Sequence, residues 1–172
     1  MVLKKPSGRI VAVGDPLVDE LKVETATNMY PGRLVKKGTN DDDIVVCDAS
    51  GKPVGWLGWE QAAGPYRPKT ITTAYGADDW APVLYGGHFV VKAKLASGEN
   101  VSKGAFLVPA ANGQVKEASA LTVDSGSTSV TSTAANGSII SGEVGDNIIV
   151  GIAMESVDAS SGAKDILVLS LI

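Results

Sequence analysis

The chain is short of the residues on which most catalysis depends. It has a single histidine, His88, and a single cysteine, Cys47. A hydrolytic triad needs a general base, usually histidine. His88 follows Gly86-Gly87 and opens an apolar run at Phe89, where a strand-edge residue bonded to backbone is expected. No serine sits in a G-x-S-x-G elbow. Cys47 ends the run Ile44-Val45-Val46-Cys47, reads as a small buried hydrophobe and has no second cysteine to pair with. Phosphate-loop chemistry is also missing, because Gly55-Trp56-Leu57-Gly58 lacks both the lysine and the helix start. Asp41-Asp42-Asp43 lacks the alternate spacing of a calcium loop and reads, like Asp78-Asp79, as a solvated turn. Nothing nominates a carboxylate pair, so no enzyme, cofactor or metal is expected.

No run of 18 apolar residues occurs, so no membrane span is expected. Pro6-Ser7-Gly8 follows Lys4-Lys5 where a secretory signal needs an apolar block, so synthesis in the cytosol is expected. A net charge of −4 argues against nucleic acid as a direct partner. The cations are nevertheless uneven. Ten of the fifteen Lys and Arg residues lie at or before Lys69, and none lies between Glu117 and Ala163, which holds six acids. The N-terminal part therefore suits an acidic surface that the later part would repel.

What the chain does have is glycine, 20 residues of it, and aliphatics, with aromatics at only 5%. The core must be built of Val, Ile, Leu and Ala on short strands. In Phe89 to Leu95, Phe89, Val91, Ala93 and Leu95 face inward, and Lys92 and Lys94 face water. Ile166 to Ile172 reads as a strand covered on both faces. Residues 1–29 read as an N-terminal arm: Ile10 to Val13 is strand-like, and Asp15-Pro16 is a helix-start signal that puts Leu17 and Leu21 on one face. With too little apolar surface to fold alone, the arm packs on the body or reaches another subunit. Residues 30–86 form a first β unit, and 87–172 a second that carries a Ser/Thr/Gly-rich insertion at 119–146. In that insertion Ser129-Val130-Thr131 and Ser138-Ile139-Ile140 are set to pair as a hairpin.

The two units echo each other. Gly32-Arg33-Leu34-Val35 recurs as Gly104 to Val108, the turn Ser50 to Val54 as Asn112 to Val115, VGWLGWE (Val54 to Glu60) as VGIAME (Val150 to Glu155), and Asp79 to Leu84 as Asp165 to Leu169. The extra glycine in the first copy predicts a β-bulge at Leu57-Gly58, with Val54, Trp56 and Trp59 on one inward face. Glu60 to Ala63 is expected to make one helical turn.

The series "GrLV", "VGxxxE" and "DDW.P.L..G", followed by "V.AKLASGENVSKGAFLVPAANGQVKEA" and "VGIAMESVDASSGAKDILVLSL", resembles the head decoration (cement) proteins of tailed viruses. The resemblance spans most of residues 30–172, and the 119–146 insertion and the Trp-rich first unit depart from it. It implies an all-β, short-stranded β-barrel or sandwich (β-tulip-like) of two related units forming one compact body. It also implies a role on the outside of the virion: binding the major capsid protein of an icosahedral head, with self-association as a homotrimer, and bracing the shell against internal DNA pressure. Lys4, Lys5 and Arg9 of the arm, and the turn Tyr30-Pro31-Gly32-Arg33 that sets its exit, are the candidate capsid or subunit contacts. A carbohydrate- or receptor-binding module of a tail or spike is the alternative, and it requires an exposed aromatic platform drawn from Tyr66, Tyr75, Trp80 and Tyr85.

Overall fold

The computed structural model describes residues 3–118 and 148–172. The hairpin expected around Ser129 and Ile140 and the remainder of the 119–146 insertion lie outside the described residues.

The glycine-punctuated aliphatic runs form two small closed barrels. The first consists of β2 (Leu17–Val23), β3 (Leu34–Lys37), β4 (Asp43–Val46), β5 (Pro53–Leu57) and β6 (Trp80–Tyr85), closing in the order β2-β4-β3-β5-β6. The second consists of β7 (Val90–Leu95), β9 (Phe106–Pro109), β10 (Val115–Glu117), β11 (Gly151–Ala153) and β13 (Lys164–Ser170), closing as β7-β10-β9-β11-β13. In both, the first strand runs parallel to its neighbour, β2 to β4 and β7 to β10, and every other pairing in the ring is antiparallel. The chain thus traces one topology twice. β1 (Val11–Val13) pairs with β7 outside the second ring, and β8 (Asn100–Val101) and β12 (Val157–Asp158) form a two-stranded ribbon.

The repeat has a steric basis at one glycine in each copy. A Cβ on Gly55 would stand 2.6 Å from the Leu84 carbonyl oxygen, and one on Gly151 would stand 2.6 Å from that of Leu169. Only glycine lets β5 approach β6, and β11 approach β13, this closely. The echoed turns are not equivalent, however. Ser50 to Val54 leads into β5, whereas Asn112 to Val115 leads into β10, the counterpart of β4. The counterpart of the β4–β5 loop is the β10–β11 connection, which contains the insertion.

Strands β3, β5 and β6 are buried on both faces because they form the wall between the barrels. Val35, Leu57 and Val83 fill the first barrel, while their neighbours Leu34, Trp56 and Leu84 join Cys47 in the core of the second. β13 is also buried on successive residues, with Ile166, Leu167 and Val168 all inaccessible. In β7 the expected alternation is present: Val91, Ala93 and Leu95 are buried, and Lys92 and Lys94 are half-buried outside.

Four expectations are corrected. The Asp15-Pro16 signal starts a strand, since β6 offers Leu17 to Lys22 an antiparallel partner that outweighs the local helix-start preference. Residues 11–23 are consequently strands in the body, and β2 completes the first barrel, so the first unit begins before Tyr30. Glu60 to Ala63 makes turns without a helix. The bulge lies at Val54, where β3 advances from Val35 to Lys36 while β5 moves from Gly55 to Pro53. Val54 is therefore pushed outward and exposed; Leu57 fills the first barrel, Trp56 points into the second, and Trp59 fills neither. Trp59, beyond the strand end, is half-buried; its Nε1 donates to the Pro68 carbonyl at 3.0 Å and Arg67 lies over its ring.

The first barrel closes loosely at one place. β2 pairs with β6 from Leu17 to Lys22 but with β4 only at Lys22 and Val23. Among the described residues the Leu17 to Leu21 edge has no second strand beside it, and it carries the exposed carboxylates Asp19 and Glu20. Charges on an open edge oppose strand addition by another copy.

Candidate functional site

The glutamates that end the two echoed strands hold the N-terminal segment on the body. Glu60 accepts the N–H of Val11 at 2.8 Å and of Ile10 at 3.0 Å. Glu155 accepts the N–H of Leu167 and pairs with Lys5 Nζ, both at 2.9 Å. Between them, Lys92 Nζ donates to the Pro6 carbonyl at 2.8 Å, and the Lys92 N–H donates to the Ile10 carbonyl at 2.7 Å. Residues 5–11 are therefore laid along the outer face of β7 and β13, clamped at both ends by carboxylates from homologous positions of the repeat.

Beside this segment the Tyr30 to Arg33 turn meets β7 in a cleft of about 210 Å³, lined by Tyr30, Pro31, Arg33, Lys92, Lys94 and Asp165. Its floor is apolar, from Ile10, Ile71 and Ala93. Arg33 is half-buried; its Nη1 donates to the Asn112 carbonyl at 3.1 Å, and its guanidinium lies 5.9 Å from the Tyr30 ring centroid. Lys94 pairs with Asp165 at 2.9 Å. Burial lowers the pKa of both Arg33 and Lys92, because water that would solvate their charge is excluded; only Asp165, Tyr30 and Glu60 pull weakly the other way.

The six residues singled out from sequence thus fall as follows. Tyr30, Pro31 and Arg33 line one cleft. Lys5 is tied to Glu155, and Lys4 and Arg9 are exposed on the segment that passes Lys92. Lys5, Arg33, Lys92 and Lys94 stand here against the carboxylates Glu60, Glu155 and Asp165, a small excess of positive charge on an acidic protein. Sequence reading missed Lys92 and Lys94 as members of the site. Their alternation marked them as exposed strand residues, and only the fold places them beside Arg33.

Of the aromatic candidates, Tyr66 is exposed in the loop between β5 and β6, and the other three do not form a platform. Tyr75 is buried, and its hydroxyl donates to the Gly58 carbonyl at 2.9 Å. Trp80 and Tyr85 are exposed at opposite ends of β6, roughly 17 Å apart at strand rise. Cys47 is buried, with its thiol pKa pushed up to about 11 by burial first and Asp48 second. Asp43 is buried at the start of β4, where it accepts from Asn40 Nδ2, and Asp41 pairs with Lys37. The triplet is divided among a solvated turn and a strand start, and among the described residues no group of ligating side chains is arranged for a metal.

Residues 3–154 match the model of the XM1 gp53 minor capsid protein family. The chain belongs to this family. It is a phage capsid-associated protein with an all-β fold. No curated protein matches the sequence. Among solved structures, the minor capsid protein is similar to the head fiber gp8.5 N base of bacteriophage phi29, with a TM-score of 0.49 and 11% identity over 91% of this chain and 94% of that one.

Proposed function

We propose that this minor capsid protein is a decoration, or cement, protein. It binds the outer surface of the icosahedral head, takes the major capsid protein as its partner, and stiffens the shell against the pressure of packaged DNA. Three copies acting together at one shell position would make weak individual contacts count, because each bound copy raises the effective concentration of the next. The role is structural and involves no reaction.

The observation that supports this reading is that a segment carrying Lys5, held by Glu155 and Lys92, runs beside the cleft lined by Tyr30, Pro31 and Arg33, in a chain whose net charge is −4. A fixed, two-barrel body with its basic segment clamped in place presents that side without having to order it on binding, which lowers the entropic cost of association.

The test is co-sedimentation of the full chain with bare, expanded shells of its source virus. Saturable binding at a fixed ratio to the shell protein, with greater resistance of filled heads to heat, is expected. The triple variant Lys4→Ala, Lys5→Ala, Arg9→Ala is expected to bind less tightly and with a weaker salt dependence. Absence of binding to both expanded and mature shells would overturn the reading.

A further inference from the structure

The cleft between the Tyr30–Arg33 turn and β7 holds more positive charge than the chain neutralises. Arg33, Lys92 and Lys94 face it, and its single carboxylate, Asp165, is engaged by Lys94. Among the described residues, no carboxylate lies within ion-pair distance of Arg33 or Lys92. Of the five guanidinium N–H donors, one has a protein acceptor, the Asn112 carbonyl. Lys92 Nζ likewise spends one donor on Pro6 and has two remaining.

We propose that this cleft receives a carboxylate side chain carried on an acidic loop of the shell protein, bound between the Arg33 guanidinium and the Lys92 ammonium. The inference rests on the decoration reading. The dimensions fit, since about 210 Å³ is several times the ~30 Å³ that a water molecule occupies. The apolar floor of Ile10, Ile71 and Ala93 suits the methylenes of a glutamate, while the cations stand where its oxygens would lie. A planar guanidinium held by Asn112 on one side and Tyr30 on the other is pre-oriented for two parallel hydrogen bonds. Both cations are already partly desolvated, so an incoming carboxylate restores the favourable surroundings that burial removed.

The experiment compares shell binding of the wild-type chain with that of Arg33→Gln, Lys92→Gln, Arg33→Lys and, as a control outside the cleft, Lys103→Gln. Each glutamine variant within the cleft is expected to weaken binding at least about 10-fold, the effect of losing a charge-assisted hydrogen bond. Arg33→Lys should keep part of the affinity, and Lys103→Gln should bind as wild type. N-acetylglutamate should compete with the shell for the wild-type protein, and N-acetylglutamine should not. Circular dichroism verifies that each variant is folded; if Arg33→Gln is not, Lys92→Gln decides. Wild-type binding that neither cleft variant changes and N-acetylglutamate does not inhibit would overturn the cleft assignment and leave decoration standing. Failure of the wild-type chain itself to bind shells would overturn both.

Discussion

Trp56 Nε1 donates to Ser170 Oγ across 3.0 Å, joining the wall of the first barrel to the last strand of the second. Ser170 Oγ in turn donates to the Ile172 carbonyl at 2.8 Å, so the bond belongs to a short chain of polar groups inside an otherwise apolar core. Trp56 is wholly buried and, although it lies on a strand of the first barrel, its ring is core for the second. The barrels are therefore expected to unfold in one transition, seen as coincident tryptophan-fluorescence and circular-dichroism curves in denaturant. Trp56→Ala should cost about 3–5 kcal/mol through the cavity it leaves. Ser170→Ala, which strands the indole N–H, should cost about 1–3 kcal/mol.

Gly113 has a φ of +66°, and a Cβ there would stand 2.7 Å from the Leu34 carbonyl oxygen, at the seam where the Gly113 N–H donates to the Cys47 carbonyl. Gly98 has a φ of +93° with nothing near its Cβ position. Gly98→Ala should therefore cost only the conformational strain, about 1 kcal/mol. Gly113→Ala adds a backbone clash and should cost more, on the order of 3 kcal/mol. Thermal melts of the two variants side by side separate the contributions; equal losses would show that the seam yields.

Stability should fall in the alkaline range. Burial raises the Cys47 thiol from an ordinary value of 9.0 to about 11, so its neutral form is favoured in the folded protein. The stabilisation is complete below pH 9 and is lost as the pH rises through 11, amounting to about 2–3 kcal/mol. Tyr75 is shifted upward by burial too and adds to the loss at higher pH. Urea titrations across this range should show the decline, and Cys47→Ala should flatten its first part. At pH 8 the thiol should react with a thiol reagent only after denaturant is added.

Among the described residues, Asp19 and Glu20 are the charges on the open edge of β2. Replacing both by valine would leave Leu17 to Leu21 a wholly apolar, half-paired strand. Concentration-dependent association by sedimentation velocity is expected for the double variant. A sedimentation profile identical to that of wild type would mean that another feature protects the edge.

Lys5→Ala distinguishes contact from scaffold. Its ion pair with Glu155 is about one-third exposed on each side, and such pairs contribute at most about 1 kcal/mol. The melting temperature should therefore barely move, while shell binding weakens.

Much of the fold was legible in the sequence because strand patterning is local. The alternation of Phe89 to Leu95 and the unbroken apolar run from Ile166 mark a strand exposed on one side and a strand covered on both. The echo of Val54-Gly55 in Val150-Gly151 marks a duplicated unit, since the same close strand approach demands glycine in each copy. What local pattern cannot report is which strand lies alongside. The Asp15-Pro16 signal yields to the antiparallel partner that β6 offers, the bulge lies at Val54 through the pairing of β5 with β3, and beyond it Trp56 and Leu57 alternate into the two barrels. The candidate site divides in the same way. The sequence by itself determined that the cations are concentrated early in the chain and that Arg33 follows a Pro-Gly turn. Tertiary structure alone decided that Lys92, some sixty residues later, lines the same cleft as Arg33, with neither in an ion pair among the described residues, because charge balance in a cleft is a property of non-local neighbours.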